Sequence, residues 1–116
     1  MAKTFFITAT ATDVGKTYTT IRLLRAFAKR GVKAVPIKPI ETGVDPVALD
    51  ATKLQKEFEN LYGEKRTLEA ICPYRFVLPA APYISQRYEK APDIDLSIID
   101  DAVQQAAQKA DVVLIE

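Results

Sequence analysis

Histidine is absent from the 116 residues, cysteine occurs once, and neither sign of charge prevails. Without imidazole there are no histidine-based triads, no imidazole general bases and few routes to a zinc site. Acid–base chemistry is left to carboxylates, lysines, hydroxyls or the substrate. Cys72 has no partner for an intrachain disulfide, which reads as a cytosolic chain. Sixteen basic residues face fifteen acidic ones, for a net charge of +1, so no global field selects nucleic acid or an anionic membrane. Long apolar runs are missing too. The opening segment carries one lysine and a short apolar stretch ending in Thr8, too short for a signal-peptide core or a bilayer span.

What remains is ordinary globular composition, 48% hydrophobic and 27% charged, in a length that allows one domain. No internal repeat or low-complexity tract interrupts it. Thr4 to Ala9 is β-branched and aromatic and predicts a buried strand. After a polar loop, Ile21, Leu23, Leu24, Phe27 and Ala28 recur at helical spacing, and Gly31 stands where the helix should stop. Val32 to Ile37 predicts a second strand, closed by Pro39. A helix is expected from about Val47 to Tyr62, ended by Gly63. Residues 72–83 mix Pro73, Pro79 and Pro82 with Tyr74, Phe76 and Tyr83, which predicts an ordered irregular segment whose aromatics need burial. Asp95 to Lys109 predicts a helix with Asp95 as its N-cap, and Asp111 to Glu116 a third strand. Strands and helices alternating in this way predict an α/β fold with a parallel sheet and flanking helices. The sheet should be incomplete at its C-terminal side, because three strands are thin and the sequence stops on a strand.

The segment Gly15-Lys16-Thr17 sits between the first strand and the first helix. That is the setting in which backbone amides and a helix N-terminus cradle phosphate oxygens. Lys16 would reach the terminal phosphates and the Thr17 hydroxyl would ligate Mg²⁺. The strict phosphate-loop spacing calls for glycine at position 10, where this chain has Thr10. The tripeptide alone is also an ordinary strand-to-helix turn; its position in the chain favours phosphate.

Five segments together resemble dethiobiotin synthetase. Its phosphate loop is one residue longer than usual, and Ala9 to Thr17 has that length, with Ala9 in place of the first glycine. Lys38-Pro39-Ile40-Glu41-Thr42-Gly43 is similar to the family's Lys-Pro-x-x-Ser/Thr-Gly, and Asp50-Ala51 to its helix-heading Asp-Ala. Pro73-Tyr74-x-Phe76 with Pro79 and Pro82 looks like its substrate-side segment. Val112 to Glu116 looks like its strand ending in a metal-binding glutamate. The resemblance runs in family order through the whole chain, taken here as residues 1–116 of a phosphate-loop nucleotide-binding domain, the N-terminal portion of a longer one.

The resemblance implies ATP and Mg²⁺ as cofactors and 7,8-diaminononanoate and CO₂ as substrates. It implies a cytoplasmic homodimer with no nucleic-acid or membrane partner. It places Thr12, Lys16 and Lys38 in catalysis. The nucleotide falls to Asp13, Val14, Gly15, Lys16, Thr17 and Tyr18, the substrate to Lys38 and Thr42, and Mg²⁺ to Thr17, Asp50 and Glu116. Two other readings stand beside it. A ParA/MinD-like ATPase switch would have its signature lysine at the place of Ala11 and usually an aspartate at that of Glu116. A non-catalytic fragment would bind phosphate weakly or not at all.

Overall fold

Val112, Val113, Leu114 and Ile115 are buried on both faces and form the central strand of the sheet. The computed structural model describes residues 2–9 and 15–116. In chain order the elements are β1 (Lys3–Phe6), α1 (Lys16–Lys29), β2 (Ala34–Ile37), β3 (Ile40–Glu41), α2 (Leu49–Tyr62), α3 (Leu68–Ile71), β4 (Tyr74–Arg75), α4 (Pro82–Tyr88), α5 (Leu96–Gln108) and β5 (Val112–Ile115). The main sheet is parallel with order β1-β5-β2, and β3 and β4 make a separate parallel pair.

The period of two along β5 divides the core. Val112 and Leu114 face a cluster with Leu24 of α1, Ala51 and Leu54 of α2, and Ile71. Val113 and Ile115 face the opposite cluster with Val35, Ile37, Phe58 and Ala106 of α5. Continuous apolar runs are what a strand covered on both sides requires. α2 contributes to both clusters because it runs beside the outer edge of β2.

That edge is closed without another strand. The Ala34 N–H donates to the Tyr62 hydroxyl at 3.0 Å, and the hydroxyl donates to the Val32 carbonyl at 2.8 Å. Pro36 has no N–H to leave unpaired. The Lys38 N–H then donates to the Ile71 carbonyl at 2.9 Å. Proline inside β2 is therefore compatible with the sheet because it lies on an edge strand, with one tyrosine bridging the backbone groups before it.

Expected helix limits agree closely with observed ones. α1 is followed by Gly31 at φ +73°, α2 by Gly63 at φ +65°, and the Asp95 carboxylate accepts from the Ser97 N–H at 2.9 Å. The first strand departs from expectation. It pairs in register with β5, Lys3 opposite Val112 to Phe6 opposite Ile115, but all four of its residues are exposed and Phe6 is 76% so. The composition of a covered strand is present; among the described residues nothing packs over it. The segment at residues 72–83 also carries more regular structure than proline content suggests. β4 pairs with β3, Phe76 is buried, and Pro82 opens α4 from its first turn, where its missing N–H costs nothing.

Two outcomes test this packing. Tyr62→Phe removes the hydroxyl and leaves Val32 O and Ala34 N without their partner, which should cost about 1–3 kcal/mol in denaturant unfolding; an unchanged midpoint would show that water replaces it. Cys72 is fully buried, and burial first, then the Glu41 carboxylate, pushes its thiol up to about 12. A thiol-specific reagent should therefore label Cys72 only on unfolding. The folded chain keeps a proton that the unfolded one gives up, so stability falls as pH rises from 9.0 toward 12. Labelling of the native chain at the rate of a free thiol would overturn this.

Candidate functional site

The parallel strands β2 and β5 end side by side, and the first turn of α1 lies at the same end. Parallel α/β sheets place ligands at the carboxyl ends of their strands, where loops and helix N-termini converge. Lys38 is the residue after β2 and Glu116 the residue after β5, and the Glu116 N–H donates to the Ile37 carbonyl at 2.8 Å. The ladder thus delivers an ammonium and a carboxylate to the same place.

Glu116 is the hub. Its side chain is 1% exposed. One oxygen accepts from the Thr17 hydroxyl and lies 3.6 Å from Lys38 Nζ. The other accepts from the Thr20 hydroxyl at 3.1 Å. An isolated buried carboxylate would be strongly disfavoured; two hydroxyl donors and an ammonium offset that cost. Lys38 Nζ also lies 3.9 Å from Asp50 Oδ2, so one cation stands between two carboxylates from different elements. Lys38 is largely buried while Asp50 remains open, with its side chain 41% exposed.

The start of α1 is available to an anion. Gly15 is its N-cap at φ +87°, in the left-handed region that favours glycine, and its carbonyl accepts from Thr19 N at 2.9 Å. Among the described residues no side chain caps this end, and the first turn carries no acidic residue. Its first amides therefore keep their capacity for a ligand. Lys16 is half-buried at the first helical position, and its carbonyl, 2.9 Å from the Thr20 hydroxyl, shares that hydroxyl's single proton with Glu116.

Of the residues expected at the site, Thr17, Lys38, Asp50 and Glu116 meet through direct contacts. Gly15 and Lys16 occupy the helix start beside Thr17. Thr42 is half-buried directly after β3, and Thr12, Asp13 and Val14 lie outside the described residues. The Tyr18 side chain, in the first turn of α1, is 65% exposed, and the Arg22 guanidinium donates to its hydroxyl at 3.1 Å while lying over its ring. Two residues enter that sequence reading did not single out. Thr20 is signalled by its place three residues after Thr17, on the same helical face and next to apolar Ile21 and Leu24. Glu41 is buried, and its carboxylate accepts from the Ala51 N–H at 2.8 Å and the Asp50 N–H at 3.2 Å. The one sequence hint of it is the absence of a capping side chain at Ala48, before α2.

The oxygen set of Thr17, Asp50 and Glu116 suits Mg²⁺, which takes one or two carboxylates with a hydroxyl and completes its shell with water and phosphate. Among the described residues no group of three or more histidine, cysteine, aspartate or glutamate side chains forms a full metal cage. A separate cleft of about 520 Å³ is lined by Gly43, Asp45, Val77, Leu78, Pro79, Tyr88 and Glu89. None of the residues around Glu116 borders it. No helix among the described residues is long and apolar enough to cross a membrane.

The chain is 42% identical over 118 residues to the ATP-dependent dethiobiotin synthetase of Sulfurovum sp., covering 96% of this chain and 52% of that protein. It is 36% identical over 121 residues to the same-named protein of Vibrio vulnificus, covering 100% of this chain and 51% of the relative. With that of Nitrosospira multiformis it shares 36% identity over 116 residues, covering 100% and 50%. The chain thus spans about half the length of these curated relatives. A family model described as an AAA domain matches residues 3–116, and the chain belongs to that family.

Proposed function

We propose that the chain provides the phosphate- and carbamate-handling part of an ATP- and Mg²⁺-dependent dethiobiotin synthetase. The observation that carries this reading is the Lys38 ammonium held between Asp50 and Glu116, with the Thr17 hydroxyl on the same Glu116. In the proposed reaction one amine of 7,8-diaminononanoate adds to CO₂ and releases a proton, giving a carbamate. A carbamate oxygen attacks the γ-phosphorus of ATP and ADP leaves. The second amine then attacks the activated carbonyl, closes the ureido ring and expels phosphate, losing one of its two N–H protons and keeping the other.

The sequence of steps asks for alignment and charge neutralisation more than for a strong acid or base. That suits a chain without histidine. The first amides of α1 and Lys16 would hold the phosphates, with Thr12, Asp13, Val14 and Tyr18 along the nucleotide. Lys38 would meet charge building between carbamate and γ-phosphate, with Thr42 on the substrate side. Thr17, Asp50 and Glu116 would hold Mg²⁺, which when bound neutralises phosphate charge. A cytoplasmic homodimer is part of the same proposal.

Calorimetric titration should give ATP binding that strengthens with Mg²⁺, and phosphate release should depend on the diamine. ATP binding absent with and without the metal would sink the proposal in favour of a non-binding fragment. ATP hydrolysis indifferent to the diamine would favour a switch ATPase. In the active enzyme, Lys16→Ala or Lys38→Ala should each remove about 3 kcal/mol of transition-state stabilisation, a loss of two or more orders of magnitude in turnover. Turnover within tenfold of the unmodified protein would remove that lysine from the assignment.

A further inference from the structure

α2 begins without a capping residue of its own. Its N-cap is Ala48, which has no side-chain acceptor, and no local side chain caps the helix start. Alanine is a poor choice at that position, where serine, threonine, aspartate or asparagine would satisfy an otherwise orphaned amide. The acceptor comes instead from β3. Both carboxylate oxygens of Glu41 are used, one on the Ala51 N–H at 2.8 Å and the other on the Asp50 N–H at 3.2 Å.

Glu41 is 6% exposed and makes no ion pair among the described residues. A buried carboxylate without a cation is costly unless donors replace its water. Here the donors are the first amides of a fourteen-residue helix, whose dipole also favours an anion at this end. The backbone of Glu41 is itself fixed: its carbonyl accepts from Phe76 N at 2.8 Å, and β3 pairs with β4. The carboxylate is therefore a rigid acceptor rather than a mobile surface group.

Of the two amides it holds, one belongs to Asp50, the residue that faces Lys38 across 3.9 Å. We infer that Glu41 is a positioning residue for the metal and phosphate site: by holding the backbone of Asp50 it sets where the Asp50 carboxylate stands relative to Lys38 and Glu116. This rests on the reading of Asp50 as an Mg²⁺ ligand given above. It adds a residue with no ligand contact of its own and a specific route of action. A group that orients a ligand from behind commonly governs metal affinity as strongly as the ligand's own neighbours do.

Calorimetric titration of Mg²⁺ and ATP onto the unmodified chain, Glu41→Ala, Glu41→Gln, Asp50→Ala and the Glu41→Ala/Asp50→Ala double variant tests the inference. Glu41→Ala should raise the Mg²⁺ concentration needed for half-maximal ATP binding about tenfold. Metal-free ATP binding should change less than about twofold, and Glu41→Gln, which keeps an acceptor oxygen, should recover most of the loss. In the Asp50→Ala background Glu41→Ala should have no further effect on the Mg²⁺ requirement. Amide proton resonances of Asp50 and Ala51 should move in Glu41→Ala, while those of β5 stay in place. An equal loss with and without metal, the same loss in the Asp50→Ala background, or unmoved Asp50 and Ala51 amides would each overturn the positioning role. If Glu41→Ala does not fold, Glu41→Asp, whose shorter side chain draws the carboxylate back from the Asp50 and Ala51 amides, should raise the Mg²⁺ requirement while metal-free ATP binding changes less than about twofold; an unaltered requirement, or an equal loss with and without metal, overturns the role. A chain with intact Glu41 that shows no Mg²⁺ response at all would instead overturn the reading of Asp50 as a ligand.

Discussion

One buried carboxylate ties the active end of the molecule together. Glu116 closes β5, draws the Thr17 and Thr20 hydroxyls of α1 toward it, and faces the ammonium that follows β2. Water is excluded from its side chain, so each of those partners must be present and oriented if the charge is to be tolerated. The strand order makes this possible, because β5 lies between β1 and β2 and ends beside the start of α1. The same contacts that make the fold self-consistent gather oxygens and cations suited to a polyphosphate. Stability and site geometry are here two aspects of one hydrogen-bonded cluster.

Around that hub, positions are set by backbone pairing and refined by side chains. Lys38 is aimed by a parallel ladder whose outer edge is managed by Tyr62, Pro36 and Ile71. Asp50 is aimed by a helix whose first amides are held from a neighbouring strand pair. Because β3 pairs with β4, the proline-aromatic segment after α3 is coupled to this arrangement. Tyr74 stacks on Phe76, and its hydroxyl accepts from the Asp95 N–H at 2.8 Å, linking the segment to the start of α5. A change in that segment can therefore reach Asp50 through Glu41 without touching it.

Much of this was legible from residues alone, for identifiable reasons. Gly31, Gly63 and Asp95 mark helix limits because each solves a local backbone problem that few other residues solve. Lys38, Asp50 and Glu116 could be grouped only through the resemblance to dethiobiotin synthetase, and the fold brings their side chains together. Glu41 could not, since its partners are amides nine and ten residues away and the only local hint is a missing cap at Ala48. Two-residue strands and four-residue helices such as β3, β4 and α3 leave no periodicity to read. Burial of β1 was misjudged because composition reports what a strand can pack against, whereas exposure depends on what lies over it.

The exposure of β1 also bears on where the molecule opens first. β1 is held by one ladder, to β5, and none of its side chains is buried among the described residues. Local opening should therefore cost less there than in β2 or β5, and its amides should exchange with solvent early. The first helix, by contrast, is anchored in the core at Thr20 and Leu24. The two elements that flank the start of the site therefore differ in rigidity, the strand opening well before the helix does.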